Sequence, residues 1–599
     1  MIFDQKLRTR TEGRRPNLRF WLYFGALNAL CFLPLYLLNQ ETTAFLPPLS
    51  IFADGWWLGI NRLLLWRENL DLFRLSVEFT VLVALWTNVR WLRLRVLRIF
   101  IIIVYLLSLA YYGYEAVVRS IYHTDPVFFS QYYLARDGLP FLAEHAQASL
   151  WLYVAASLGV IVGVGSLVRL VNGLLNSAMA LKLARLTRVS IGLLAVLALL
   201  ATARYQIYTA DTEMVVSSLT FKLQKNVADS LQLRQDIASF DGARVRQIYD
   251  YTPYALQTKP NIYLIFVESY GSVLYKRPDY RMAYTRLLAD LDDRLTQRGW
   301  HTTTALSESP TWGGGSWMAY TSVLFGLRID SQPQYLALLN KYQTESYPDL
   351  GHYLRAQGYY YAWVSSISDE LDERSWYKYI RFMGVDQWLR YHDLDFHGPL
   401  YGWGPAPPDQ YTLHQADELL HKQTQQPLFF VTITQNSHFP WVPQPTLADD
   451  WHTLNQPQTT LAMPSVLADQ TSSKHADYLA AAEYQLRMLT DFILNHGEEN
   501  SLFILIGDHQ PPQVSARFDG WDTPMHIISQ DQTFIDSFAQ YGFTPGLKIK
   551  SSKPTLHHEG NYSLIVRALL HRYGAAQATL PAYLPHGAVV DSAAKTALK

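Results

Sequence analysis

Five apolar stretches in the first ~205 residues constrain this chain more than any other feature. They lie near Phe20–Leu38, Leu75–Trp91, Ile99–Tyr114, Leu150–Val171 and Val189–Ala203. A bilayer core takes about 20 apolar residues of helix. Backbone inside it must satisfy its own hydrogen bonds, which a helix does. A helical membrane domain of about five spans is therefore expected over residues 1–204. Basic residues orient it. Lys6, Arg8, Arg10, Arg14, Arg15 and Arg19 precede the first stretch. Arg90, Arg93, Arg95 and Arg98 fill the second gap, and Arg169, Lys182, Arg185 and Arg188 the fourth. These alternate gaps should face the cytoplasm, leaving the N-terminus inside and everything after the fifth stretch outside. The first stretch is too long, and its approach too basic, for a cleaved signal peptide. Ile51–Trp66 is broken by Asp54, Gly55, Gly59, Asn61 and Arg62. It reads as an interfacial helix, with Trp56, Trp57 and Trp66 at head-group level.

Composition agrees with partial membrane burial: charged residues are 17% and aromatics 14% of 599. A net charge of −1 points to no nucleic-acid partner. One cysteine, Cys31, excludes an intramolecular disulfide framework and a Cys-rich zinc site. It reads as a small apolar filler.

Residues 205–259 are polar and loosely amphipathic, as in a helical linker. From 260 to 575 strand-like runs alternate with helix-like ones, so the expected fold is α/β with a mostly parallel sheet. Residues 576–599 read as a loose tail. Three short apolar runs are buried strands by pattern: Asn261–Val267, Pro427–Thr434 and Ser501–Ile506. Each ends in polar groups: Glu268, then His438, then Asp508 with His509. Open α/β sheets bind ligands at that end of their strands. Between the first and second of these runs stands Trp312-Gly313-Gly314-Gly315-Ser316-Trp317. Ser316 there opens a helix-like run, where glycines let backbone N–H groups close on an anion. Glu268, Asp508, His509 and the Ser316 hydroxyl make a donor set suited to Zn2+ or Mn2+, with Mg2+ a further candidate. Ser309 and Thr311 are alternative nucleophiles. His557 and His558 read as a polar loop before the last helix.

These motifs resemble the alkaline-phosphatase and sulfatase superfamily. The residues that carry the resemblance are Pro260-Asn261 through Val267-Glu268-Ser269, Gly315-Ser316, Asn436-Ser437-His438-Phe439-Pro440 and Gly507-Asp508-His509. Within it, the layout is most similar to the membrane-anchored lipoteichoic-acid-synthase and phosphoglycerol-transferase branch. That resemblance implies an alkaline-phosphatase-like catalytic domain over 260–575, a divalent metal on Glu268, Ser316, Asp508 and His509, and a phosphate contact from His438. It also implies substrate contacts from Gly315, Arg374 and Trp376. Two departures stand out. Relatives usually carry threonine where Ser316 stands. They often have a histidine with the tryptophan and arginine near the substrate, whereas Ser365–Asp386 holds Arg374, Trp376 and Arg381 but no histidine.

The implied activity is transfer of a phosphoglycerol-type group from a phosphatidylglycerol-like membrane lipid to a glycan or polyol, through a phospho-serine. The implied place is a bacterial cytoplasmic membrane, with the catalytic domain periplasmic or extracellular. A phosphoethanolamine transferase, a phosphodiesterase and a non-enzymatic membrane scaffold are the alternatives. A formylglycine sulfatase requires Cys or Ser followed by x-Pro-x-Arg, which Ser307-Glu308-Ser309-Pro310 does not match.

Overall fold

A computed structural model describes residues 16–39, 52, 55–64, 72, 74–145, 150–179, 183–208, 215–368, 373–402, 404–457, 473–498, 500–575 and 579–588. The basic run Lys6 to Arg15, Trp66, Lys182 and residues 589–599 of the expected tail lie outside these. The chain divides into two compact units, Met1–Ser120 with Thr124–Leu233, and Ile121–His123 with Arg234–Lys599.

Apolar helices carry the first unit: α1 (Pro16–Leu38), α2 (Val77–Asn88), α3 (Arg95–Tyr122), α4 (Leu150–Ala178) and α5 (Arg185–Tyr208). Among the described residues, α1, α3, α4 and α5 are long and apolar enough to cross a membrane. The second expected span is shorter. Leu75–Ser76 pairs in parallel with Val216–Ser217, and Arg90–Leu92 forms a turn, leaving α2 with 12 residues. That is about 18 Å of helix against a hydrocarbon core of about 30 Å. The expected interfacial segment contains a helix, Trp56–Leu64, with Trp56 and Trp57 exposed. Cys31 is free and buried.

The polar groups of these helices have named tasks. Glu78 of α2 accepts from Ser218 Oγ at 2.6 Å and from the amides of Leu219 and Thr220 at 2.9 Å. It thereby caps α6 (Leu219–Ala238). Buried Glu115 of α3 accepts from Lys222 and from Arg119 at 3.0 Å, and Arg119 reaches Asp125 at 2.7 Å. Charge inside an apolar helix is held here by direct pairing.

The second unit is built on one sheet. Its strands are β1 (Asn261–Val267), β2 (His301–Glu308), β3 (Tyr360–Val364), β4 (Gln387–Leu389), β5 (Leu428–Ile433), β6 (Ser501–Gly507), β7 (Asp522–Ser529), β8 (Thr544–Pro545) and β9 (Leu556–His557). The order is β8-β2-β7-β6-β1-β5-β3-β4, with β9 beside β2. β6, β1, β5, β3 and β4 run parallel, while β7 is antiparallel to both neighbours. Side chains of β1 alternate between two cores. Ile262, Leu264 and Phe266 face α8 (Ser316–Phe325) and α12 (Asn561–Tyr573). Tyr263, Ile265 and Val267 face α7 (Pro278–Gln297), α10 (Asp409–Gln423) and α11 (Lys474–His496). Burial on both faces is why β1, β5 and β6 are continuous apolar runs. The expected tail is not loose throughout. Ala588 donates to Gly326 O at 2.9 Å and His557 to Pro585 O at 2.8 Å, fastening residues 585–588.

Candidate active site

The site follows from strand register. Val267 lies opposite Gly507, and Phe266 opposite Ile433. The next residues, Glu268, Asp508 and Thr434, leave the sheet side by side at its C-terminal edge. Ligand atoms of Glu268, Asp508 and His509 all lie within 4.8 Å of one another, and all three residues are buried. His509 Nε2 is 3.3 Å from Asp508 Oδ2 and 3.7 Å from Glu268 Oε1. Ser316 Oγ donates to Glu268 Oε2 at 3.1 Å and lies 3.1 Å from His509 Nε2.

Two acidic groups, an imidazole and a hydroxyl thus converge on one buried point. His509 Nδ1 is 2.9 Å from Gln510 O, which assigns its proton to Nδ1 and turns the Nε2 lone pair inward. Burial holds His509 below the usual histidine range, against the pull of Glu268. Asp508 Oδ1 accepts from the amides of Ser269 at 2.8 Å and His509 at 2.7 Å, whereas buried Oδ2 has no hydrogen-bond partner. Burial, then the charge of Glu268, pushes Asp508 well above the carboxylate range. Burial also acts on Glu268, but His509, His438 and the Ser269 hydroxyl outweigh it and leave that carboxyl below its usual range. Two carboxylates, an imidazole lone pair and a hydroxyl so placed fit a divalent metal, whose charge would meet the orphaned Oδ2.

Ser316 is the first residue of α8, after Gly315 as its cap. The glycines have a packing task that the sequence reading did not assign. A Cβ on Gly313 would lie 2.1 Å from Pro512 Cγ, on Gly314 2.6 Å from Ile121 Cγ2, and on Gly315 2.3 Å from Met318 Cε. Gly314 also has φ +63°. The loop needs glycine because protein atoms fill the side-chain positions. Ser309 Oγ donates to Asp508 O at 2.6 Å and Thr311 Oγ1 to Gly313 O at 3.2 Å. Both alternative nucleophiles are therefore committed to holding backbone.

His438 is half-buried and faces Glu268 and His509 closely enough to act on both electrostatically. Its turn is held by residues that sequence reasoning missed. Asp409, at the start of α10, accepts from Gln435 N at 2.9 and 3.0 Å and from Asn436 N at 2.8 Å. Ser437 Oγ donates to Glu268 O at 2.7 Å, and Thr434 Oγ1 accepts from Glu268 N at 3.1 Å. Ser269 Oγ donates to Glu268 Oε1 at 2.9 Å. Ser269 and Ser437 adjoin motif residues, which was the available signal. Asp409 had none beyond its place at a helix start.

Of the substrate contacts implied by resemblance, Gly315 adjoins Ser316, and Arg374 and Trp376 share one helix. On α9 (Glu373–Met383), Arg374 is exposed and Trp376 buried. The Trp376 ring meets Trp388 at 5.0 Å, Trp388 meets Trp363 at 5.2 Å, and Trp363 meets Tyr320 of α8 at 5.2 Å. Trp376 thus joins α8 through a line of rings. His558 is buried beneath the site, 3.1 Å from Gly507 O and 2.9 Å from Ser307 Oγ, while His557 pairs with Glu559 at 3.1 Å.

Comparison with known proteins defines the class. Residues 260–538 match the family model described as Sulfatase. No curated protein sequence matches the chain. Among solved structures, the lipoteichoic acid synthase LtaP from Listeria monocytogenes is 14% identical, covering 58% of this chain and 80% of its own, at TM-score 0.36. The C-terminal periplasmic domain of EcEptC from Escherichia coli, in complex with Zn, is 13% identical over 57% and 89%, at 0.36. The Streptococcus pyogenes phosphoglycerol transferase GacH, in complex with sn-glycerol-1-phosphate, is 14% identical over 58% and 81%, at 0.32.

Proposed function

We propose that this membrane protein is a metal-dependent phosphotransferase that moves a phosphoglycerol-type group from a phospholipid to a glycan or polyol through a covalent phospho-serine. The observation that supports this reading most is the Ser316 hydroxyl, 3.1 Å from both Glu268 Oε2 and His509 Nε2. Glu268, Ser316, Asp508 and His509 would hold Zn2+ or Mn2+. A cation there supplies positive charge that stabilises the deprotonated serine oxygen. Ser316 Oγ attacks phosphorus, and the bond from phosphorus to the diacylglycerol oxygen breaks in line. His438 binds the phosphoryl oxygens or protonates the departing alkoxide. An acceptor hydroxyl then attacks phosphorus, and Ser316 Oγ leaves. A phosphatidylglycerol-like donor in the outer leaflet of a bacterial cytoplasmic membrane suits a chain whose apolar helices precede its catalytic domain in sequence. The N-terminus is then cytoplasmic and the catalytic domain outside.

The test is mass spectrometry of the Ser316 peptide after the full chain meets bacterial phospholipid. A glycerophosphoryl increment is expected. A phosphoethanolamine increment would replace the donor assignment, and the absence of any adduct in a metal-loaded, active protein would sink the covalent mechanism.

A further inference from the structure

Away from the Asp508 centre, a hollow of about 300 Å3 opens between α7 and the loop after β8. Ligand pockets start at about that size. Lys276, Arg281 and Lys548 line it, beside Tyr275 and the hydroxyl-bearing Thr285 and Ser552. No carboxylate lines it among the described residues. None of its residues belongs to the group gathered around Ser316.

Two of its three cations have no acidic partner among the described residues, and one of these two is held in place. Lys276 is neutralised by Asp522 Oδ1 at 2.6 Å. Arg281 and Lys548 have no carboxylate partner among the described residues. Arg281 Nε donates to Tyr275 O at 2.7 Å and Nη2 to Lys276 O at 2.5 Å. Both acceptors are backbone, so the guanidinium is fixed while Nη1 stays available. The facing loop is fixed too. Gly546 donates to Thr302 O at 3.0 Å, Leu547 to Asp292 Oδ1 at 3.2 Å, and Tyr275 OH to Ser551 O at 3.1 Å. Such pre-ordering lowers the cost of binding. The Nη1 edge of a guanidinium, an ammonium and hydroxyl donors around one hollow suit a tetrahedral oxyanion, which accepts from several directions at once.

We propose that this hollow is a second binding site, for a phosphate monoester or diester, carried on a soluble polyol or on a lipid head group. The proposal is independent of the Ser316 assignment.

The test is site-resolved lysine acetylation of the metal-loaded full chain, read by mass spectrometry. With saturating inorganic phosphate or glycerophosphate, Lys548 should be acetylated at least about fivefold more slowly, matching about 1 kcal/mol for an exposed charge pair. Lys553, exposed on the same loop but outside the hollow, is the control. Chloride at equal ionic strength should protect neither. Arg281→Gln should abolish the protection, and Arg281→Lys, which keeps the charge but loses the backbone-anchored Nη1 donor, should restore part of it. Nanodiscs of phosphatidylglycerol against phosphatidylcholine, without free phosphate, separate the sources. Protection in the anionic discs assigns a lipid head group, and protection by the soluble esters alone assigns a soluble ligand. Equal protection of Lys548 and Lys553, or of neither, overturns the proposal.

Discussion

Asp409→Asn tests the claim that the His438 turn is held by one buried carboxyl. Asp409 is almost fully buried and accepts from two backbone amides, Gln435 and Asn436. Asparagine can put its one oxygen where Oδ2 accepts from both amides, but its NH2 group then faces the Gln435 N–H, donor against donor, in a buried turn. That costs about 1–3 kcal/mol. The pH dependence sharpens the test. Burial pushes Asp409 up to about 7 from an ordinary 3.8, although the Asn436 and Gln435 amides pull the other way. The folded chain therefore keeps a proton that the unfolded chain gives up. The stability this adds is full below about pH 4 and is lost as pH rises to about 7, on the order of 4 kcal/mol in all. Asparagine does not titrate. Its deficit should be largest below about pH 4 and shrink as pH rises, by about 2–3 kcal/mol between pH 5 and pH 7. Turnover should fall about a hundredfold, as expected when a catalytic group shifts by about 1 Å. Scanning fluorimetry of the full chain in detergent across that range, beside phosphodiester turnover, reads both. A pH-independent gap in melting temperature with wild-type turnover would refute the reasoning.

Asp508→Ala should lose stoichiometric divalent metal by elemental analysis, and turnover with it; a fully loaded variant removes Asp508 from the centre. Chelation of the wild type should lower its melting temperature, since a ligand at 100 times its Kd adds about 2.7 kcal/mol, and an unchanged melt would show that no metal is bound. Gly314→Ala forces a Cβ to 2.6 Å from Ile121 Cγ2 at φ +63°. It should cost at least about 1–2 kcal/mol of backbone strain and slow turnover with metal retained, whereas wild-type rates would deny the loop its positioning role. The Asp417 hydrogen bond, against burial, pushes His421 up to about 9. The stability it adds is full below about pH 6.5 and is lost as pH rises through 9, so Asp417→Asn should flatten the alkaline limb of the melting curve; an unaltered limb rejects that pairing.

Much of this was legible because chemistry and burial coincide at three strand ends. β1, β5 and β6 are buried on both faces, so each shows as an unbroken apolar run, and the polar residues after them stand out. β7 did not show. It runs antiparallel and carries Pro524 and His526 inside it, against the pattern of a central strand. β8 and β9, two residues each, are too short to leave a pattern. α2 was read too long because Leu75, Val89 and Trp91 continue the apolar run of the helix they flank, and only the pairing of Leu75–Ser76 and the turn at Arg90–Leu92 set its ends.

The candidate site divides along the same line. Glu268, Ser316, Asp508 and His509 were legible because the residue type is itself the chemistry. The groups that aim them were not, because their residue types are ordinary and their partners distant. Asp409 looks like any carboxylate at a helix start, and its amides lie 26 and 27 positions away. The glycines before Ser316 pointed to a ligand, and the structure fills their missing side chains with Pro512, Ile121 and Met318. What joins the two sets is register. With Val267 opposite Gly507, Glu268 and Asp508 emerge as neighbours. A slip of one residue would place Ser269 or Val267 beside Asp508 and turn the carboxylate of Glu268 to the other face. The centre is thus specified by the pairing of β1 with β6, through cores on both sides of the sheet, as much as by the residues that would hold the metal.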